Sequence, residues 1–195
     1  CDCGRGERGA LLKARGAEVT GLTADPETAA AARQVLDAAL SGDLQTFEPP
    51  FEDGAFDCIV CAGVLARLKD PAPFLERLRR VLKPGGLLLV TAPNLQYYKT
   101  VLMLADGRWD YGETGAMARD HLRFFTAHSL VQLLSGCGYR VQRCGVLSGD
   151  PPEAFPRDAD GCVRMGRYTI GPLEDDKHKA YLTEYYILFA RARDE

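Results

Sequence analysis

The 195-residue sequence has no long apolar run; its most apolar stretch, residues 87–93, is only strand-sized. A bilayer-spanning helix needs ~20 such residues, so no membrane span is expected. Charge of either sign is barely in excess: 24 Lys and Arg face 27 Asp and Glu, a net charge of -3, and the two signs are interspersed. That removes the electrostatic footprint of a nucleic-acid-binding surface. There is no internal repeat and no visible secretory signal. Cysteine is present, but its seven copies are odd in number and scattered. They do not form a disulfide framework and point to reduced thiols of a cytoplasmic protein. With 46% hydrophobic residues, the chain suits one globular domain with a sizeable core.

The most informative segment that is present is the opening run Asp2-Cys3-Gly4-Arg5-Gly6-Glu7-Arg8-Gly9. An acid set against a glycine turn is the usual start of a nucleotide-type site, where the turn joins a buried parallel strand to a helix. Only the last residue or two of such a strand precede the turn, and the first residue is Cys1 rather than Met. The expectation is therefore a single domain over 1–195, truncated at its N-terminus. Removing a central strand would leave its neighbours ~9.6 Å apart, two strand spacings.

Strand and helix signals then alternate. Residues 18–22 read as a short strand. Asp25 and Pro26 open an alanine-rich helix to about Ala38, with an acidic cap and proline at its first position. Residues 39–42 read as a brief strand and 56–62 as a buried one. Asp70-Pro71 opens an amphipathic helix with Phe74, Leu75, Leu78, Val81 and Leu82 on one face, stopped by Lys83-Pro84-Gly85-Gly86. Residues 87–92 form another buried strand. A helix follows over 97–105, an aromatic loop over 107–119, a helix over 127–135, and final strands over 138–147 and 181–192. Continuously apolar strands alternating with helices indicate a parallel sheet covered on both faces. The polar segment 148–179 is expected to be a mobile excursion without a core of its own. Cys58 and Cys61 form a C-x-x-C pair, but on a strand residues three apart face opposite ways. They are read as small core hydrophobes, and no metal site is expected.

Gly4-x-Gly6-x-x-Gly9 fits the dinucleotide fingerprint, but that fingerprint needs a full preceding strand and an acid about 20 residues on. Asp2 two residues before the first glycine, and a Lys-Pro-Gly-Gly turn before an apolar strand, point elsewhere. With G-L-T-A-D-P-E, S-G-D-L, F-D-C-I-V-C-A-G-V-L, L-K-P-G-G-L-L-L-V-T-A-P-N, G-R-W-D-Y and A-R-D-H-L-R-F-F-T, the chain resembles the class I S-adenosylmethionine-dependent methyltransferases. Within them it resembles a bacterial subgroup linked to polysaccharide and glycosylation pathways. The resemblance implies an α/β Rossmann-like three-layer sandwich with a mostly parallel sheet of order 3-2-1-4-5-7-6. In the family's numbering strand 7 is antiparallel, and strand 1 is largely missing from this chain.

It also implies the site. S-adenosylmethionine is the expected cofactor. Asp2 would accept a bond from its ammonium, and Gly4 and Gly6 would let backbone approach its methionine part. Asp43 would accept from the adenine amino group, with Leu44 and Cys61 flanking the ring. The usual ribose-binding carboxylate is replaced by Thr23. Losing a charged hydrogen bond of ~1.5–3 kcal/mol would weaken binding ~10- to 100-fold. Asp25, two residues on, either reaches the ribose or caps the alanine helix, and the cap is favoured. Family acidic and histidine positions hold Ala66 and Arg67, and Arg8 stands at a usual glycine.

On the reaction side, methyl transfer is an in-line displacement that relies on alignment, and a hydroxyl nucleophile benefits from a general base. His121 is the candidate base, against a structural role in the loop. Asp120 and Arg123 are candidate substrate contacts, and Trp109 and Tyr111 candidate stacking or lid residues. His128 and His178 read as surface residues. Three functions stand: a methyltransferase acting on a small-molecule or sugar acceptor, at a hydroxyl; a catalytically degenerate binding or scaffold relative; and a nicotinamide-dependent oxidoreductase. The last is disfavoured because no Tyr-x-x-x-Lys pair is present.

Overall fold

The computed structural model describes residues 1–193. Its elements are α1 (Glu7–Lys13), β1 (Thr20–Thr23), α2 (Pro26–Ala32), β2 (Ala38–Ser41), β3 (Phe56–Ala62), α3 (Pro71–Val81), β4 (Leu82–Pro93), α4 (Tyr98–Ala105), α5 (Ala127–Gly136), β5 (Tyr139–Gly149), β6 (Val163–Met165), β7 (Tyr168–Ile170), α6 (Asp175–Leu182) and β8 (Thr183–Ala192). The alanine helix is shorter than its composition suggested. It ends at Ala32, and Ala38 already belongs to β2.

The main sheet is mixed and comes in two pieces. β1 pairs with β2 in parallel; β3, β4, β8 and β5 form a second sheet in that order. β3 and β4 are parallel, whereas β8 runs antiparallel to both β4 and β5. Residues 1–3 lie between the pieces. The Cys1 amino group donates to the Val60 carbonyl at 2.6 Å, and the Cys3 N–H donates to the Leu22 carbonyl at 2.9 Å.

The main core lies on one face of the four-stranded sheet. α3 starts where Asp70 accepts from the Ala72 N–H and Pro71 takes the first turn, and it buries Phe74, Leu75, Leu78 and Val81. α5 opens on a capping box between Thr126 and Ser129 and buries Leu130 and Leu134. These side chains meet Leu88, Val90, Leu188 and Ala190 from the strands. The fully buried Tyr139 phenol donates to the Leu75 carbonyl at 2.9 Å, so no polar group is stranded there. The opposite face is less covered: Leu87, Leu89, Ile187 and Phe189 alternate with the core positions and stay half-buried. α1 buries no residue, and Leu11 is 63% exposed. The expected three-layer sandwich is thus complete on one side only.

Segment 148–179 departs most from its sequence reading. It carries β6 and β7 and the start of α6, and with residues 97–98 it builds a second hydrophobic cluster around Phe155, Val163 and Leu173. His178, read as a surface residue, is buried there and lies 2.6 Å from the Phe155 carbonyl. Its ring stacks on Phe155. Charged neighbours in sequence hid it, because the packing of α6 turns this side chain inward together with Leu182. Asp150 anchors the cluster, accepting from the Tyr97 and Tyr98 hydroxyls at 2.5 and 2.9 Å and pairing with Lys99 at 2.9 Å.

The carboxyl end of β4 is closed by Asn94, which is fully buried. Its amide donates to the Ala180 and Thr183 carbonyls, both at 2.8 Å, and its side-chain oxygen accepts from the Gln96 N–H at 3.0 Å. Asn94→Leu would remove these three bonds and should lower stability by about 2–4 kcal/mol, read as a lower urea midpoint at unchanged slope.

The Asp150 cluster generates a pH signature. The Tyr97 hydroxyl and then Lys99 hold the Asp150 carboxyl at about 2, against about 3.9 in an unfolded chain. Its contribution is therefore full above about pH 3.9 and is lost as pH falls through about 2. Burial first, and Asp150 second, push Tyr97 up to about 12. That contribution is full below about 10, the unfolded value, and is lost as pH rises through about 12. Urea midpoints measured against pH should fall on both limbs, and Asp150→Asn should flatten the acid limb.

Candidate functional site

The opening run folds into a tight left-handed turn. Asp2, Gly4 and Gly6 have φ of 56°, 55° and 94°, a region that glycine and, less often, aspartate adopt. The two glycines do different work. A Cβ on Gly6 would lie 2.7 Å from Val35 Cγ2 and 3.1 Å from Leu36 Cγ, so Gly6 lets α1 pack on the end of the alanine segment. Gly9 does the same, with Leu36 Cδ2 at 2.6 Å. Only Gly4 faces open space, its nearest neighbour being Glu7 Oε2 at 3.9 Å. A cradle that a side chain would fill therefore lies over Gly4, next to Asp2.

Asp2 is not alone in that cradle. Its carboxylate is bound by the Arg67 guanidinium, whose Nε also pairs with Asp120 Oδ2 at 2.7 Å. Arg67 sits on the single helical turn Leu65–Arg67 that follows β3. The segment carrying Asp120, His121 and Arg123 is laid along this turn by backbone. The Leu122 and Arg123 N–H groups both donate to the Ala66 carbonyl, at 2.7 and 2.9 Å. Arg123 Nε donates to the Lys69 carbonyl at 2.6 Å, which commits that nitrogen to holding the loop.

His121 is 9% exposed; its Nδ1 lies 3.3 Å from the Ala116 carbonyl, and its Nε2 lies 4.0 Å from Asp120 Oδ1. A carbonyl opposite Nδ1 selects the tautomer protonated there and leaves Nε2 as the basic nitrogen. Trp109 packs edge-on against Phe124 at 5.5 Å, and Tyr111 is 51% exposed on the same loop. Beneath the loop, a cleft of about 230 Å³ is lined by Tyr97, Lys99, Asp110, Thr114 and Glu184 among others. Its polar lining gave no signal in sequence, since the contributors come from α4, the loop and β8.

Other expected residues are placed as follows. Asp25 caps α2, accepting from the Thr28 N–H at 2.7 Å and from the Thr28 hydroxyl, and this bond holds its carboxyl below the usual range. It caps the helix, the alternative favoured from the sequence. Thr23 is buried at the end of β1. Asp43 is exposed just beyond β2, its side chain accepting from the Gln45 N–H at 3.0 Å, while Leu44 packs on the main core. Cys61 is fully buried in that core, and burial pushes its thiol up to about 11. Cys58, by contrast, is exposed, which corrects its reading as a core residue. Among the described residues, no three His, Cys, Asp or Glu side chains gather in a metal-binding group. No helix among them is long and apolar enough to cross a membrane.

Comparison with known proteins adds the decisive evidence. A structure described as a SAM-dependent methyltransferase from Archaeoglobus fulgidus superposes with a TM-score of 0.67 at 14% identity, covering 97% of this chain and 83% of that one. The fold is that of the S-adenosylmethionine-dependent methyltransferases. Residues 1–90 match the family model described as a methyltransferase domain. A probable S-adenosylmethionine-dependent methyltransferase of Mycolicibacterium smegmatis is 29% identical over 75% of this chain and 53% of its own length. A ubiquinone biosynthesis O-methyltransferase of Aeromonas salmonicida is 26% identical over 72% of this chain and 61% of its own length. The chain thus spans little more than half the length of these relatives. Family match, relatives and fold together support a methyltransferase domain and indicate S-adenosylmethionine as its cofactor.

The residues at the turn suit the amino-acid end of that cofactor: a carboxylate, an open glycine and a cation lie together. Gly4→Val should therefore weaken S-adenosylmethionine binding at least tenfold, and it should lower the melting temperature as well, because a β-branched residue is strained at φ 55°. Gly6→Val should lower the melting temperature further, because its side chain also meets Val35 and Leu36. Calorimetric titration and thermal melts of the two variants separate these roles.

Proposed function

We propose that this domain transfers a methyl group from S-adenosylmethionine to a hydroxyl of a small-molecule or sugar acceptor. The observation that carries the reading is the Asp2 carboxylate beside the open Gly4 turn, in a chain whose first 90 residues match a methyltransferase domain. Bound there, the cofactor supplies a sulfonium methyl group. Asp2 accepts from its ammonium, the backbone at Gly4 and Gly6 lies against its methionine chain, and Asp43 and Leu44 serve the adenine. His121 takes the proton from the acceptor hydroxyl at Nε2, with Nδ1 held toward the Ala116 carbonyl. Asp120 and Arg123 flank it, and Trp109 and Tyr111 offer aromatic faces to a sugar or ring.

The cleft sets Lys99, Asp110, Thr114 and Glu184 among apolar neighbours such as Met103 and Met117, a lining that supports a hydroxyl-bearing acceptor. The A-R-D-H-L-R-F-F-T run supports an acceptor from polysaccharide or glycosylation chemistry, and the scattered cysteines support a cytoplasmic setting. Without an acid for the ribose, affinity should be lower than a carboxylate would give, by ~10- to 100-fold. Isothermal titration with S-adenosylmethionine and its demethylated product should give Kd values in the micromolar to millimolar range. Turnover of a hydroxyl acceptor should then fall at least 100-fold in His121→Ala with cofactor affinity unchanged. No binding of either ligand at millimolar concentration would overturn the reading.

A further inference from the structure

Arg67 stands at a position that departs from the family pattern, yet it is the best-connected cation near the turn. Its guanidinium spans two carboxylates that are far apart in sequence. One edge reaches Asp2 at the floor of the cradle, while Nε holds Asp120 at 2.7 Å on the His121 segment. A guanidinium has five donors in a rigid fork, and the pair of terminal nitrogens matches a carboxylate edge to edge. Held through Nε by Asp120, Arg67 presents its terminal nitrogens to the space beside Asp2.

Resting on the cofactor reading above, we propose that Arg67 binds the α-carboxylate of S-adenosylmethionine. The amino-acid end of the ligand is a zwitterion, and the Asp2–Arg67 pair is its complement. The ligand's ammonium takes over the Asp2 carboxylate. The released terminal nitrogens of Arg67 take the ligand's carboxylate in two parallel hydrogen bonds. Arg67 Nε stays on Asp120, so the same residue ties the bound amino acid to the His121 segment. The Arg67, Asp2 and Asp120 side chains are 44%, 28% and 57% exposed. Ion pairs this open to water contribute little by themselves, so exchanging one for two ligand pairs meets little resistance.

The test compares S-adenosylmethionine with its decarboxylated form, which keeps the ammonium and the sulfonium and lacks only the carboxylate. The wild-type chain should prefer the complete cofactor by ~10- to 100-fold, the worth of a charged hydrogen-bonded pair. R67Q should bind both ligands within about threefold of each other, because the loss of the Asp2 and Asp120 pairs affects both alike and the carboxylate contact is the one that tells them apart. R67K, a point charge without the fork, should retain part of the preference. Circular dichroism of each variant checks that the fold is kept. If R67Q keeps the wild-type preference, or binds both ligands more tightly, Arg67 is only a competitor for Asp2 and the assignment falls. Wild-type protein that binds both ligands equally overturns the assignment but leaves the cofactor reading standing. Wild-type protein that binds neither overturns both.

Discussion

The end of β4 is where the molecule is tied together, and a single buried amide ties it. Asn94 joins the strand that lies between β3 and β8 to the last turn of α6 and the first residue of β8. The next peptide bonds across to Phe125, through the Leu95 N–H and the Phe125 carbonyl at 2.8 Å. An amide carries donors and an acceptor in one plane, so it can satisfy carbonyls and an N–H at once. An apolar residue of the same size would take this partner from the Thr183 carbonyl and the Gln96 N–H, and would leave the Ala180 carbonyl only its bond from the Thr183 N–H. The His121 segment, the second hydrophobic cluster and the antiparallel strand therefore share one anchor.

From that anchor the electrostatics of the upper rim follow. The turn at Gly4 and the segment around His121 lie far apart along the chain. What joins them is backbone pairing to the Ala66 carbonyl and the Arg67 cation shared by Asp2 and Asp120. Charges in such an exposed cluster are exchanged cheaply for those of a ligand. At this rim a carboxylate and a cation stand together beside the open Gly4 turn.

Much of the fold was legible because its signals are local. Asp70-Pro71 and Thr126 start helices through their own side chains, and the period of Phe74, Leu75, Leu78 and Val81 names the buried face. The Asp25-Pro26 start was equally readable, but its end was not: an alanine run has good helix propensity throughout, and pairing with β1 took Ala38 into a strand. Segment 148–179 misled for the converse reason. Its polar composition is genuine, but Phe155, Val163 and Leu173 suffice for a small core once Tyr97 and Tyr98 are brought to them. His178 was lost among charged neighbours because only the packing of α6 turns it inward. Cys58 and Cys61 were rightly separated by strand geometry, yet which one faced the core depended on cover that β3 has on one face only.

By itself the sequence determined the order of strands and helices, the helix starts, the glycine turn with its leading acid, and the family likeness carried by its motifs. These are set within a few residues of one another by dihedral preference, capping and hydrophobic period, so one chain suffices to read them. Only the tertiary structure decided which glycine is packing and which is open, that Asp25 is spent on a helix cap, and that Arg67 lies between Asp2 and Asp120. Those outcomes depend on groups up to 65 residues apart along the chain meeting in space. Contacts between charges and hydrogen-bonding groups so far apart leave no periodic trace in the sequence.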